Sequence, residues 1–232
     1  MKSKYTDILL DLDDTLIDTI ENTRQTLVEL YDDYNFGNYF PSFDDFYTIY
    51  YANVSQLWEM YGQGKISKAT LQRERFIAPL SLVEDISEEK ALAINDDYIE
   101  RIMQKKILID GAVDLLDYLK SKYKIHILSN GFTEMQYIKM DNAGLTGYFD
   151  KVILSDAVGV NKPHPHLFDY ALKEAGAERD TTIMIGDNLF TDIGGAYNSG
   201  IDQIWYNPGG KPVGDFQPTY IVDKLSAIKN IL

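Results

Sequence analysis

Three aspartates, Asp11, Asp13 and Asp14, follow a short apolar run, Ile8–Leu10, near the start of the chain. Such a run predicts a buried strand of the kind found in parallel sheets. Carboxylates at its end repel one another and are costly to bury unpaired, so a divalent cation is the simplest counter-charge. On an extended backbone, Asp11 and Asp13 would point the same way about 7 Å apart, which leaves room for a metal and a reacting group.

Three later segments carry related chemistry, and each follows its own predicted strand. They are Ser129-Asn130-Gly131, Lys162 within VNKPHP, and Gly186-Asp187 with Asn188 and Asp192 in GDNLFTDI. Taken alone, the first segment is typical of a turn, and a lone lysine is typical of a solvated side chain. An Asp or Asn that follows a strand is typical of a helix N-cap. Acidic strand ends also occur in response-regulator receivers. Because parallel sheets bind ligands beyond the carboxyl ends of their strands, the joint occurrence favours one shared site.

The elements that must position these residues alternate between helix and strand after about residue 107. Helices are predicted to separate the strands, among them 133–143, 165–175 and 190–198, and a final helix is predicted over 224–231. The strands after the first are predicted at 124–128, 152–154, 181–185 and 201–206. We therefore predict an α/β fold with a doubly wound, Rossmann-like parallel sheet in residues 1–17 and 107–232.

Residues 18–106 show helical rather than strand periodicity and are predicted to form a small inserted bundle. Its four helices are predicted near 18–34, 44–61, 67–76 and 87–107. Aromatic residues concentrate in this insert, and most of them are expected to lie in its core. Hinges are expected near 17–19 and 106–110, where the chain passes between the two parts.

Composition limits the partners and the compartment. With 36 acidic and 22 basic residues the net charge is -14, which argues against a nucleic-acid polymer but not against a small phosphorylated metabolite. The chain has no cysteine, and its N-terminus turns acidic too early for a signal peptide. No apolar run is long enough for a membrane span. We expect a cytoplasmic monomer or small homo-oligomer.

Together, the four motifs resemble the haloacid dehalogenase superfamily of aspartate-nucleophile phosphotransferases, and the resemblance covers the whole chain. The insert after the first strand resembles the helical C1-type cap of that superfamily. The resemblance implies that Asp11 is the nucleophile and that Asp13 is the general acid and base. It implies that Lys162 neutralises charge on Asp11 and the phosphate.

The resemblance also implies a ligand set for Mg²⁺ and a set of substrate contacts. The metal would be held by the carboxylates of Asp11 and Asp187 and the backbone carbonyl of Asp13, with Asn188 and Asp192 orienting its surroundings. The phosphoryl group would be held by Thr15, the Ser129 hydroxyl, the backbone of Asn130 and Gly131, and Lys162.

The reaction expected from these residues is hydrolysis of a small phosphate monoester through an aspartyl-phosphate intermediate. Dehalogenases of the superfamily lack an acid at the position of Asp13, so its presence favours phosphate chemistry. The segments NGFTEMQ and GVNKPHPHLFDYAL are most similar to bacterial pyrimidine 5′-nucleotidases, which implies a nucleoside 5′-monophosphate. The alternatives are a phosphatase for phosphoglycolate or sugar phosphates, a phosphomutase, and a non-enzymatic phosphate-binding regulator. A nucleotide base would be expected to pack against insert aromatics, with Tyr50, Tyr51, Trp58 and Tyr61 as candidates.

Overall fold

Within residues 4–213 and 217–232, which this computed structural model describes, six strands form one sheet. The strands are β1 (Asp7–Leu10), β2 (Lys124–Ser129), β3 (Lys151–Leu154), β4 (Thr182–Gly186), β5 (Asp202–Tyr206) and β6 (Tyr220–Val222). Their order is β3-β2-β1-β4-β5-β6, and all neighbours are parallel. The predicted parallel sheet is therefore confirmed, although residues 1–3 and 214–216 of the predicted core lie outside the described residues.

The centre of the sheet is buried on both faces. Every residue of β1 and β4 is buried. Because alternate residues of a strand face opposite sides, Ile8 and Leu10 pack into one apolar cluster and Leu9 into another. The strand order reverses between β1 and β4, and such a reversal is where parallel sheets open a ligand crevice. Asp11 and Asp187 are the residues that directly follow these two strands.

The predicted helical insert is also confirmed as four helices. They are α1 (Thr19–Asp33), α2 (Phe43–Gly62), α3 (Lys68–Leu80) and α4 (Glu88–Gln104). The hydroxyls of Ser42, Ser67 and Ser87 accept hydrogen bonds from backbone N–H groups in the first turns of α2, α3 and α4. These N-caps explain why each of the three helices begins where it does.

Aromatic rings form the core of this helical unit. Tyr50 is fully buried, with its ring centroid 5.1 Å from that of Phe76 and 6.0 Å from that of Tyr98. The expectation that Tyr50 contacts a nucleotide base is therefore wrong. Tyr51 is 44% exposed, and a substrate contact for it remains a prediction.

The remaining helices belong to the α/β unit. They are α5 (Ala112–Lys120), α6 (Thr133–Asn142), α7 (Ser155–Val158), α8 (Pro165–Ala175) and α9 (Gly195–Asn198). The segment predicted as one helix over 190–198 begins instead as a π-helix, Leu189–Gly194, in which Ile193 N–H donates to the Asn188 carbonyl five residues back. The predicted final helix is a 3₁₀-helix, Leu225–Asn230. The short elements α7 and β6 were not predicted from the sequence.

The chain divides into two compact units, one within Met1–Thr19 and Lys106–Leu232 and the other within Ile20–Lys105. The two segments that connect them pair with each other inside the α/β unit. Asp18 N–H donates to the Ile107 carbonyl at 3.0 Å, and Ile109 N–H donates to the Leu16 carbonyl at 2.9 Å. Among the described residues, no helix is both long enough and apolar enough to cross a membrane.

Candidate active site

Lys162 lies at the centre of the site and joins three of the four motifs. Its Nζ is 2.6 Å from Asp11 Oδ1, 2.7 Å from Asp192 Oδ1 and 2.7 Å from the Leu128 carbonyl oxygen. These three acceptors use all three ammonium protons. Burial opposes the charge of Lys162, but Asp11 and Asp192 outweigh burial and raise the lysine pKa above its usual value. The ammonium group is therefore charged and held in one orientation.

Asn130 positions the backbone of Lys162. Its Oδ1 accepts from Lys162 N–H at 2.7 Å, and its Nδ2 donates to the Lys162 carbonyl at 3.0 Å. Asn130 follows β2 and Lys162 lies in the loop before α8, so this pair of bonds ties the two loops together. Because the side chain is engaged in this way, the backbone of Asn130 is what remains for the predicted phosphoryl contact.

Thr15 orients carboxylates rather than substrate. Its hydroxyl is 3.1 Å from Asp11 Oδ2 and 3.4 Å from Asp187 Oδ1, and it accepts from Asp187 N–H at 3.1 Å. Thr15 is fully buried. Thr15 thus links the loop after β1 to the loop after β4, and its predicted substrate contact remains a prediction.

Asp11, Asp187 and Asp192 form a carboxylate cluster, with one oxygen of each within 4.8 Å of the others. Burial, together with the charge of Asp192, raises the Asp11 pKa to about 7 against the opposing effect of Lys162. Burial and the charges of Asp11 and Asp192 raise the pKa of Asp187 to about 8. The raised pKa values show that it is unfavourable for these neighbouring carboxylates to be ionised together without a cation. Mg²⁺ prefers carboxylate oxygens as ligands, so the residues fit the predicted metal.

Asp192 has both carboxylate oxygens occupied by protein donors. Oδ1 pairs with Lys162, and Oδ2 accepts from Asn188 N–H at 3.0 Å. Asp11 also accepts at both oxygens, from Lys162 and Thr15, whereas Asp187 receives one long contact from Thr15. The predicted metal ligands Asp11 and Asp187 remain a prediction. Asn188 itself caps the following helix, because its Oδ1 accepts from Phe190 N–H and Thr191 N–H. Its predicted role around the metal remains a prediction, and its backbone N–H holds Asp192.

Asp13 is held by side chains from two other segments. Its Oδ1 accepts from Thr19 Oγ1 at 2.6 Å and from Lys139 Nζ, and its Oδ2 accepts from Gln136 Nε2 at 2.5 Å. Burial alone would raise the pKa of Asp13, but the charge and hydrogen bond of Lys139 outweigh burial and lower it. The Asp13 side chain keeps 29% of its surface exposed. Gln136 and Lys139 were not predicted from the sequence, although their three-residue spacing on a predicted helix places both on one face.

Ser129 lies at the end of β2, next to this cluster. Its hydroxyl oxygen accepts from Gly131 N–H at 3.0 Å and from Gln136 Nε2 at 2.8 Å. The structure thus brings the predicted residues of all four motifs to one edge of the sheet. The side chains of Thr15, Asn130 and Asn188 bind protein groups, and the substrate and metal roles of these residues remain predictions.

Known proteins agree with this geometry. A family model for haloacid dehalogenase-like hydrolases matches residues 8–200. The chain is 33% identical to the pyrimidine 5′-nucleotidase YjjG of Escherichia coli (strain K12), covering 99% of this chain and 98% of that protein. It is also 33% identical to the pyrimidine 5′-nucleotidase PynA of Streptococcus pneumoniae, covering 98% and 97%. The crystal structure of the HAD-hydrolase YfnB from Bacillus subtilis, bound to magnesium, superposes with a TM-score of 0.87 at 28% identity, covering 98% of both chains.

Proposed function

The chain belongs to the haloacid dehalogenase-like hydrolases, and we propose that it is a Mg²⁺-dependent phosphatase acting on nucleoside 5′-monophosphates. One observation carries the proposal of phosphate chemistry. A buried carboxylate, Asp11, is paired with a buried cation, Lys162, while a second acid, Asp13, lies two residues along the chain and stays partly exposed. A nucleophile, a neutralising charge and a proton carrier are what phosphate-ester hydrolysis requires.

Asp11 is suited to attack phosphorus. Lys162 binds its Oδ1, and Thr15 donates to its Oδ2, so the carboxylate has little rotational freedom. Attack forms an oxygen–phosphorus bond to Asp11 and breaks the bond to the leaving oxygen, which gives an aspartyl phosphate. Water then hydrolyses this intermediate and returns Asp11 to its carboxylate form. Lys162 offsets the negative charge that Asp11 and the phosphoryl group share.

Asp13 is suited to move the proton in both steps. Because Lys139 lowers the Asp13 pKa, Asp13 would gain its proton when the negatively charged phosphate ester binds beside it. In the first step it gives this proton to the departing alkoxide, and in the second its carboxylate takes a proton from the attacking water. Its 29% exposure leaves one side of the carboxylate open to a substrate. Ser129 Oγ and the backbone N–H of Asn130 would hold the phosphoryl oxygens, while Gly131 N–H donates to Ser129 Oγ.

Mg²⁺ would be held by the carboxylates of Asp11 and Asp187 and by the backbone carbonyl of Asp13. When bound, it supplies positive charge that keeps these carboxylates ionised and neutralises phosphoryl oxygens. Lys162 and Asn188 N–H hold Asp192 in place beside the two carboxylate ligands. The expected cytoplasmic location remains a prediction.

The nucleotide substrate is proposed from similarity, since two relatives that match almost the whole chain are named pyrimidine 5′-nucleotidases. The test compares kcat/KM for UMP, dTMP, AMP, phosphoglycolate, a sugar phosphate and p-nitrophenyl phosphate, with Mg²⁺ or with EDTA. We expect the pyrimidine nucleotides to rank first and EDTA to abolish turnover. A higher kcat/KM for phosphoglycolate or a sugar phosphate would refute the nucleotidase assignment and leave the phosphatase standing.

The matched controls are Asp11→Asn and Asp141→Asn. Asp141 is exposed on α6, so its substitution should leave kcat/KM unchanged. Asp11→Asn should abolish turnover. If no phosphate ester is hydrolysed by the wild-type protein with Mg²⁺, the phosphatase proposal fails.

A further inference from the structure

Gln136 links two functional groups that the reaction uses separately. Its Nε2 donates one proton to Asp13 Oδ2 at 2.5 Å and the other to Ser129 Oγ at 2.8 Å. The side chain is 1% exposed, so no solvent competes for these two bonds. The amino end of the amide must face this way, because the carbonyl end would meet a carboxylate oxygen.

The two hydrogen bonds that Ser129 accepts determine where its own hydroxyl proton points. The hydroxyl oxygen accepts from Gly131 N–H and from Gln136 Nε2, and these two bonds use both of its lone pairs. Its proton is then directed away from both donors and is free to bind a phosphoryl oxygen. Gln136 thereby prepares Ser129 as a donor before substrate arrives, which is the arrangement that stabilises developing charge most effectively.

Gly131 provides the space that Gln136 occupies. A Cβ atom at residue 131 would lie 2.0 Å from Gln136 Nε2 and 2.4 Å from its Cδ. Such a contact is far inside van der Waals distance, so a larger residue would displace the amide from Asp13 and Ser129. The glycine of the SNG motif and the glutamine five residues later therefore form one structural unit.

Lys139 anchors the opposite oxygen of Asp13. It lies one helical turn after Gln136 on α6, and its Nζ pairs with Asp13 Oδ1. Thr19 Oγ1 donates to that same oxygen at 2.6 Å. Asp13 is thus held at both oxygens, and its carboxylate plane is determined by α6 on one side and Thr19 on the other.

We propose that Gln136 and Lys139 are positioning residues that place Asp13 for proton transfer, and that Gln136 also orients Ser129 toward the phosphoryl group. This inference rests on the proposed phosphatase reaction. It assigns different effects to the two residues. Lys139 contacts Asp13 but not Ser129, whereas Gln136 contacts both Asp13 and Ser129. Losing Lys139 should impair proton transfer, and losing Gln136 should impair proton transfer and phosphoryl binding together.

The test compares an alkyl phosphate with p-nitrophenyl phosphate in the variants Lys139→Met and Gln136→Met. The alkyl leaving group needs a proton and p-nitrophenolate scarcely does, so misplacing Asp13 should affect the two esters unequally. General acid catalysis is worth about 10²–10⁴-fold. We therefore expect kcat for the alkyl ester to fall about 10–100-fold in both variants, and kcat for the aryl ester to fall less than about 3-fold. Only Gln136→Met should also raise KM and the inhibition constant of inorganic phosphate.

Three further variants separate positioning from a purely structural role. Lys139→Arg keeps a cation with N–H donors and should restore the alkyl-to-aryl ratio. Lys173→Met removes an exposed lysine from the same unit and should change neither ester. When Asp13→Asn is already present, Lys139→Met should cause no further change in the ratio, since the pair acts through one carboxylate.

The possible outcomes distinguish this inference from the proposed function. If wild-type protein hydrolyses neither ester, the proposed function fails. If wild-type protein is active but folded Lys139→Met loses both esters equally, or loses neither, the positioning inference is overturned. If Gln136→Met does not fold, the ratio in Lys139→Met and its rescue by Lys139→Arg still decide the question.

Discussion

Removing Mg²⁺ is expected to make the α/β unit less stable as pH rises from 5 to 8. Asp11 and Asp187 have pKa values of about 7 and about 8, against an ordinary value of 3.8. Between pH 5 and 7 the folded metal-free protein retains two protons that the unfolded chain has lost, and between pH 7 and 8, once Asp11 has ionised, it retains about one. Raising the pH therefore favours the unfolded state. Asp13, whose pKa is lowered, acts in the opposite sense, but only near and below pH 4.

The size of the effect follows from the two shifts. Each proton changes the free energy of unfolding by about 1.4 kcal/mol per pH unit, so the pair sets an upper limit of about 7 kcal/mol between pH 5 and 8. Water reaching the partly exposed Asp187 lowers the cost of its charge, and we expect about 3 kcal/mol. For a chain of this length that corresponds to a decrease in Tm of about 6–12 °C.

Trp205 provides a local probe for this measurement. Its indole Nε1 donates to the Asp187 carbonyl at 2.9 Å, and the chain contains two tryptophans. The variant Trp58→Phe leaves Trp205 as the only one, so its fluorescence follows unfolding of the α/β unit. Thermal melts at pH 5, 6.5 and 8 would be recorded in EDTA and in Mg²⁺.

With Mg²⁺ present the pH dependence should flatten, because the bound ion stabilises the ionised carboxylates. Mg²⁺ should therefore raise Tm more at pH 8 than at pH 5. Asp187→Asn should remove about half of the decrease seen in EDTA, and Asp141→Asn should leave it unchanged. A Tm in EDTA that is constant or rises over this range, or an equal effect of Mg²⁺ at pH 5 and 8, would refute the reasoning.

Three substitutions test the remaining contacts of the site. Asp11→Asn should eliminate turnover and raise Tm in EDTA at pH 8, since it removes one buried charge; a loss of both activity and secondary structure would contradict this. Lys162→Met leaves two buried carboxylates without their cation and should lower the free energy of unfolding by about 3–5 kcal/mol in urea titrations at pH 8. Gly186→Ala places a Cβ about 2.4 Å from Asp192 Oδ2 and should displace Asp192 from the carboxylate cluster. The Mg²⁺ concentration for half-maximal activity should therefore rise about 10-fold. An unchanged value would argue against a role for Asp192 beside the metal.

Much of the fold could be predicted because the signals are local. Helix α8 begins and ends as predicted, since Pro165 suits the first turn of a helix and Gly176, at φ 62°, ends it. Strand β6 was not predicted, although its three residues, Tyr220–Val222, are of types that favour strands; two of them are exposed at the edge of the sheet. The π-helical start of the segment after β4 depends on an Asn188 bond that periodicity does not reveal.

The residues of the candidate site could be predicted from the sequence, but the directions in which their side chains point could not. Parallel strands bring their carboxyl ends to one edge, so the four motifs were expected to meet there. Which way Thr15 and Asn130 point depends on neighbouring loops that are distant in sequence, and both proved to bind protein groups. Gln136 and Lys139 were not predicted because their partner, Asp13, lies 123 and 126 residues earlier in the chain. The sequence around α6 does not indicate that these two side chains contact Asp13.

The two motif glycines, Gly131 and Gly186, show a common principle behind these missed contacts. Neither has a positive φ, so backbone conformation does not explain glycine at either position. At each, a Cβ would overlap a buried polar side chain five or six residues later, Gln136 in one case and Asp192 in the other. Each glycine therefore lets the following helix bring a hydrogen-bonding side chain against the strand end. Substituting either glycine should act on Asp13 or on the carboxylate cluster through that displaced side chain, while the backbone of the motif keeps its course.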